Sequence, residues 1–371
     1  MNRLYLDMHA IQTLPPSNIN RDDTGSPKTA QYGGVRRARV SSQSWKKAVR
    51  DYFYVQCSEE LLGKRTKRIL HLLSEKIMKN NDQVDKEKST KIAKEVLEKI
   101  VYKKNGKEIK LFKFNDKGQT DTLFFISNNQ IDELACLAIN GEYDKDSIYN
   151  IIQEPKAIDI ALFGRMVADD PSLNEDASSQ FAHSISTHAV QTEFDFYTAV
   201  DDSAPEDNAG AGMLGTIEFN SSTLYRYANV SVHQLLNQLK DKQATINAIK
   251  LLIEAFTNSL PTGKVNTFAN QTLPQAILVT LRTDRPVNLV SAFEVPVKSN
   301  DGYVDKSINK LLEEFEKVET FVEKPVKSLY LSTENVDIKD TITKENSLRS
   351  LIEDIGEIIA EKLEDLEIEE K

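Results

Sequence analysis

Residues 20–50 read NRDDTGSPKTAQYGGVRRARVSSQSWKKAVR, and the side chains in this stretch that can do chemistry are cations and one pair of carboxylates. Arg21, Lys28, Arg36, Arg37, Arg39, Lys46, Lys47 and Arg50 are interleaved with Thr24, Gly25, Ser26, Gly33, Gly34, Ser41 and Ser42. Cations grip phosphates, and small residues let a phosphate backbone come close while offering N–H and hydroxyl donors. Asp22 and Asp23 could hold a divalent metal beside a scissile phosphate. Adjacent carboxylates in a loop also serve as turn formers. Composition alone leaves RNA, DNA and an acidic protein open as partners, beside the plainer reading of a solvated basic face.

Other residues assemble no site. The sequence GAGMLG at 210–215 formally fits a dinucleotide fingerprint, but an acidic loop precedes it and a strand-like segment follows, the reverse of the required context. The five histidines, at 9, 71, 183, 188 and 233, form no HxxxH or HExxH pair, so packing is the expected role and no metal site is predicted. No GxSxG elbow occurs. Cys57 and Cys136 are far apart without CxxC spacing and are expected to be reduced core residues of a cytoplasmic protein.

The elements that must position the cations are consecutive. Leu4 to Met8 alternate apolar and polar as a strand does. TLPPSNINRDDTGSPKT reads as a long loop carrying Arg21 and Lys28. VRRARV reads as a second strand, with Val35, Arg37 and Arg39 facing one way. Ser41 or Ser42 can cap a helix on which Lys46 and Arg50 share one face and Trp45, Val49 and Phe53 form the apolar stripe. Residues 58–180 read as a mostly helical insertion, with a short hairpin expected from KEIKLFKF and TLFFIS, and Ser89 or Thr90 expected to cap a helix. From 186 strands return. THAVQTEFDFYTAV and GTIEFNSSTLYRYANV flank an acidic, Gly/Ala-rich spacer and predict a long hairpin at about 192–222 with aromatic residues on an extended arm. Further on, NLVSAFEV is expected to be a strand and SLRSLIEDIGEIIAEKLE a helix.

The chain has 371 residues and a formal charge of −10, yet residues 1–50 hold nine Lys/Arg against three acids, while residues 311–371 hold 18 acids against eight bases. Screening limits a distant acidic lobe to about 8 Å of influence at physiological salt, so the overall acidity does not exclude a polyanionic partner. No apolar run approaches the roughly 18–20 residues of a membrane span, and the N-terminus has no signal-peptide pattern.

The stretch HAIQTLPPSNINRDDTGSPKTAQYGGVRRARVSSQSWKKAVR closely resembles the N-terminus of the CasC proteins, the backbone subunit of the type I-E CRISPR Cascade surveillance complex. DIALFGRM, FAHSISTHAV, DFYTAVDD, LGTIEFNSSTLYRYANV and SAFE continue the resemblance in order along the chain. It implies an α+β fold with a modified RRM-like (ferredoxin-like) palm at 1–57 and 181–371, a helical fingers insertion at 58–180 and the hairpin as a thumb. It implies a homo-oligomer of several copies along one CRISPR RNA in a helical filament, with other Cascade subunits as partners and target DNA reached through guide pairing. No cofactor, catalysis or membrane contact is implied. Arg21, Lys28, Gln43, Lys46, Lys47, Arg50 and His71 would hold the RNA backbone. Met166 and the thumb residues Phe196, Tyr197, Thr198, Val200 and Leu214 would pack against displaced or flanking bases. Where the family often has Trp-Phe this chain has Phe196-Tyr197, a slightly smaller wedge. Related backbone subunits of type III effectors cut target RNA with an acidic residue on the loop after the first strand, which makes a metal-dependent RNA endonuclease using Asp22 and Asp23 the alternative.

Overall fold

A computed structural model describes residues 3–104, 106–141, 143–154, 157–199 and 213–368. The chain divides into two units, Met1–Tyr52 with Phe181–Ser231 and Ile249–Leu366, and Phe53–Gln180 with Val232–Ala248 and Glu367–Lys371. Along the chain come strands β1 (Tyr5–Ser17), β2 (Thr29–Tyr32) and β3 (Val35–Val40), then helix α1 (Ser42–Gln56). A further run follows: β4 (Gly63–Thr66), α2 (Ile69–Asn80), α3 (Lys86–Glu98), β5 (Val101–Lys104), β6 (Lys107–Lys110), β7 (Phe124–Ser127), α4 (Asn128–Asn140), α5 (Lys145–Gln153) and α6 (Ile158–Phe163). After it come β8 (Ser179–Phe181), β9 (Ser184–Ser186), β10 (Glu193–Ala199), β11 (Met213–Ser231), α7 (Val232–Leu239), α8 (Lys242–Asn258) and α9 (Val265–Phe268). The chain closes with β12 (Ala276–Arg282), α10 (Val304–Val318), β13 (Lys327–Ser332), β14 (Thr343–Lys344) and α11 (Leu348–Glu364).

The main sheet runs β14-β13-β12-β1-β11-β9-β3-β2, with β10 pairing β11 off this path. Four of its strands carry a ferredoxin-like βαββαβ pattern: β1, α1, β9, β11, α8 and β12 in sequence, β12-β1-β11-β9 in space. The fold is therefore mixed α+β with an RRM-like sheet.

Strand alternation sends successive residues of β1 to opposite faces. One face carries Leu6, Met8, Ala10, Gln12 and Leu14, and its partner residue Arg226, opposite Ala10, lies between Trp45 of α1 and Phe256 of α8. The two helices thus cover that face. On the other face Ile11, Tyr225, Leu278 and Tyr330 pack against Phe293, Ile308, Leu311 and Phe315. His9, Tyr225 and Tyr227 are 1%, 2% and 7% exposed there. An RRM commonly stacks bases on aromatics of its sheet; here that surface is filled from within by the segment 289–315.

The second unit has its own core, in which Leu73, Ile77, Ala93, Val96, Leu97, Leu134 and Ile148 join α2, α3, α4 and α5. Among the described residues no helix is long and apolar enough to cross a membrane.

Several local expectations change. Strand β1 continues through Pro15 and Pro16 to Ser17, where a loop was expected; its pairing with β11 shifts register between Leu14 and Ser17, so the missing proline N–H groups break no ladder bond. Lys107–Lys110 pairs with Val101–Lys104 and Phe124–Ser127 with Gly63–Thr66, rather than with each other. Leu289–Phe293 is a 3₁₀ turn and not a strand, because Asn288 Oδ1 accepts the Val290 N–H and starts it. Helix α3 is capped by Asp85, which accepts the Lys88 N–H, while Ser89 and Thr90 turn back to the Lys86 carbonyl. Cys57 is half-buried and Cys136 exposed, where core positions were expected for both.

Candidate nucleic-acid interface

Helix α1 begins at a cap made by Ser41, whose hydroxyl accepts the Ser44 N–H at 3.3 Å. Trp45, Val49 and Phe53 are 2%, 0% and 0% exposed, the stripe their spacing predicts. That burial turns Gln43, Lys46, Lys47 and Arg50 to the other side of the helix, Gln43 and Lys47 exposed and Lys46 and Arg50 half-buried. The Lys46 ammonium lies 6.0 Å from the centre of the Phe181 ring. Lys47 pairs with Asp51 at 2.7 Å, one turn on, a surface pair of little energetic weight.

The loop and strand cations converge on the start of this helix. Arg39 donates its backbone N–H to the Lys28 carbonyl at 2.9 Å, and Lys28 donates in turn to Asn20. The exposed imidazole of His183 receives two donors on Nδ1, the Arg39 guanidinium at 3.3 Å and the Ser42 N–H at 3.2 Å. Partial burial, then Arg39 and Lys28, hold its pKa below the ordinary imidazole value. A neutral ring accepting at Nδ1 carries its proton on Nε2, so His183 offers a donor in place of the helix N–H it covers. Lys28, Arg39, His183 and α1 therefore form one continuous polar surface. Arg21 is exposed nearby in sequence, where its backbone bridges to Pro27.

Not every arginine of VRRARV belongs to that surface. Arg36 is exposed, but Arg37 is 0% exposed and donates to the carbonyls of Tyr32, Ser186 and Phe293 at 3.2, 3.0 and 2.7 Å. It ties distant segments together and is removed from the cationic patch expected from sequence.

Asp22 orders its own loop. Its Oδ1 accepts from the Thr24 N–H, the Thr24 hydroxyl and the Ser26 N–H at 3.0, 2.7 and 3.0 Å, and these bonds, the hydroxyl's foremost, hold its pKa below the usual carboxylate value. Asp23 is exposed beside it. Among the described residues no group of three His, Cys, Asp or Glu side chains is placed to hold a metal ion.

The hairpin β10–β11 separates its aromatics by face. Phe196 lies opposite Thr216, Thr198 opposite Leu214 and Phe194 opposite Glu218, so all six share one face. Phe194, Phe196 and Leu214 are 67%, 66% and 64% exposed. Tyr197 points to the other face and its ring lies over Gly215, where a Cβ would come within 2.4 Å of it. Phe196 and Tyr197, adjacent in sequence, thus present to opposite sides. Val200 lies outside the described residues, as do the spacer residues 201–212.

In the second unit His71 sits on α2 and its Nε2 bonds the Lys117 carbonyl at 2.9 Å. Met166 follows α6 and is 82% exposed at a cleft of about 520 Å³, also lined by Arg65, Leu123, Phe125 and Phe163. The Arg65 guanidinium is 4.6 Å from the centre of the Phe125 ring.

His183 belongs to the polar surface around the start of α1, where packing was the expectation from sequence; its position in FAHS, just before the short strand β9, carries no spacing signal. Phe194, two residues before Phe196 on the same strand face, is equally exposed.

An RRM-like sheet closed on its stacking face, with a cation-bearing helix and an aromatic hairpin, defines the class of protein. Residues 6–354 match the family described as CT1975-like protein, and the chain belongs to that family. A chain of a solved structure described as "CRISPR RNA-guided surveillance complex, pre-nicking" is similar at 33% identity and a TM-score of 0.85, covering 96% of this chain and 100% of that one. A chain of a "CRISPR RNA-guided surveillance complex" is similar at 29% identity and a TM-score of 0.75, covering 95% and 99%. No curated protein sequence matches.

Proposed function

We propose that this protein is a CRISPR RNA-binding backbone subunit of a surveillance complex of type I-E, several copies of which line one guide RNA in the cytoplasm and present its bases to target DNA. The observation that carries this reading is a division of labour in the first unit. The sheet face on which an RRM would stack bases is filled, while Lys28, Arg39, His183, Lys46 and Arg50 gather on or next to α1. A protein that grips phosphates and leaves base edges outward binds any guide sequence, because phosphate contacts position a strand without reading it. Watson–Crick pairing then supplies specificity, as in other RNA-guided systems. Gln43 and Arg21 extend the phosphate grip in this reading, Lys47 joins it by leaving Asp51, and His71 adds a contact from the second unit. Phe196, Thr198, Leu214 and Met166 meet displaced or flanking bases, with Tyr197 acting from the reverse side of the arm.

The role is non-catalytic in this reading. Support comes from Asp22, whose Oδ1 is already engaged by three loop donors. The similarity to surveillance-complex chains supports the RNA and the neighbouring subunits as partners.

The test is the mass and absorbance ratio of the native complex purified from cells. Several copies co-purifying with one RNA are expected. A nucleic-acid-free monomer would contradict the proposal.

A further inference from the structure

We propose that Arg165, together with Asn174, is a positioning residue that holds Met166 as a fixed prop against the guide; this rests on the reading of Met166 as a base-contacting residue. An exposed methionine is by itself a poor wedge, since its unbranched side chain turns about three bonds. What can be fixed is the backbone that carries it, and here both neighbours are anchored.

Before Met166, the backbone of Arg165 pairs with that of Glu175 in both directions, at 2.9 and 2.8 Å. The Arg165 side chain, 3% exposed, donates to three carbonyls: Leu173 at 2.9 Å, Ile152 at 2.6 Å and Phe125 at 3.4 Å. These belong to a 3₁₀ turn, the last turn of α5 and strand β7, so one planar group sets the Met166 loop against three separate segments. After Met166, the Val167 N–H donates to Asn174 Oδ1 at 2.6 Å, and the Val167 side chain is buried in the helical core. Gly164 begins the turn at φ 74° and ψ 166°, a region essentially closed to other residues. A Cβ there would meet the Glu175 carbonyl at 2.8 Å.

A buried cation is a costly way to fill space, and an apolar side chain of the same volume is often at least as stabilising. What the guanidinium adds is a rigid fork that fixes several distances at once. Burial pulls its pKa down to about 10, which leaves it charged at neutral pH. The result is that Met166 projects between two buried neighbours, Arg165 and Val167, that are each locked in place. Such preorganisation removes the ordering cost that a mobile wedge would meet on binding.

The experiment uses complexes assembled on guides carrying 2-aminopurine at successive positions, since its fluorescence rises when a base leaves the stack. Met166→Ala should lower the signal at the positions that are bright in the unaltered complex. Arg165→Lys and Asn174→Ala should lower it at the same positions by about twofold or more, with guide affinity held within about twofold by the phosphate contacts elsewhere. Asn174→Asp, which keeps the acceptor, should restore it. If Met166→Ala lowers the signal while Arg165→Lys and Asn174→Ala do not, the positioning role is overturned. If Met166→Ala itself changes nothing, the base-contacting reading of Met166 fails and the proposal falls with it. Should Arg165→Lys fail to fold, Asn174→Ala and its Asp counterpart decide the matter alone.

Discussion

The guanidinium carbon of Arg226 lies 3.8 Å from the centre of the Trp45 ring, joining the strand β11 to the helix that carries Lys46 and Arg50. Phe256 of α8 closes the other side at 4.5 Å. Arg226 also donates to Gln12 Oε1 and to the Phe256 carbonyl, and no carboxylate is among these acceptors. One buried side chain thus registers both helices on the sheet, and the cations of α1 inherit their placement from it.

Arg226→Ala should therefore cost about 3–5 kcal/mol, because it opens a cavity and strands two acceptors. Urea unfolding monitored by Trp45 fluorescence measures this directly, Trp45 being the chain's single tryptophan. A loss below about 1 kcal/mol would show that α1 is held by other contacts.

Phe196 is exposed on the hairpin face it shares with Phe194 and Leu214. Phe196→Ala should leave folding stability within about 0.5 kcal/mol and weaken single-stranded RNA binding by about 1–3 kcal/mol, the range of one base–aromatic contact. Thermal melts and fluorescence anisotropy separate the two. A stability loss with unchanged RNA affinity would return Phe196 to a structural role.

Asp7 and His9, neighbours but one on β1, should make stability depend on pH in opposite directions. Burial pushes Asp7 up to about 7, outweighing its bonds from Tyr227 and the Val287 N–H and a long 3.6 Å approach to Arg282. Burial, then Arg282, pulls His9 down to about 3. From pH 3.8 to about 7 the folded chain keeps a proton on Asp7 that the unfolded chain has released, so this contribution to stability falls as pH rises. From about 3 to 6.5 the unfolded chain holds a proton on His9 that the folded chain lacks, so that contribution rises with pH. The two oppose over their shared window. His9→Gln removes one of them, and relative to the unaltered protein its stability should fall on the order of 2–4 kcal/mol as pH rises through that window. A rise relative to the unaltered protein would contradict the burial account of these groups.

Complexes incubated with complementary RNA and Mg²⁺ should leave the RNA intact, since Asp22 is committed to Thr24 and Ser26. Cleavage at regular intervals, lost in Asp23→Ala, would establish the endonuclease alternative in place of the scaffolding role.

Much of this architecture was legible in residue spacing. The stripe Trp45, Val49 and Phe53 placed the cations of α1 on its outer side, and the alternation of Leu4 to Met8 located the central strand. What was not legible depended on partners far away in sequence. Arg36, Arg37 and Arg39 are the same residue type in one strand, and only the carbonyls of Ser186 and Phe293 decide that Arg37 is buried. The apolar run at 289–293 fits a strand or a turn equally well until Asn288 caps it and the sheet beneath supplies its contacts. His183 has no periodic signature; it joins the polar surface at the start of α1 because β9 pairs with β3 and brings it to Arg39 and Ser42. The pairing of β10 with β11 is likewise what sends Phe196 and Tyr197 to different faces.

The most direct test of the central claim is the salt dependence of RNA binding for Lys46→Ala/Arg50→Ala, measured with two guides of unrelated sequence. Each phosphate contact on a single strand contributes about −0.7 to the slope of log K against log salt, so losing two should flatten that slope by about 1.4. Affinity should fall by the same factor for both guides. An unchanged slope, or a loss confined to one sequence, would contradict a sequence-independent phosphate grip by α1.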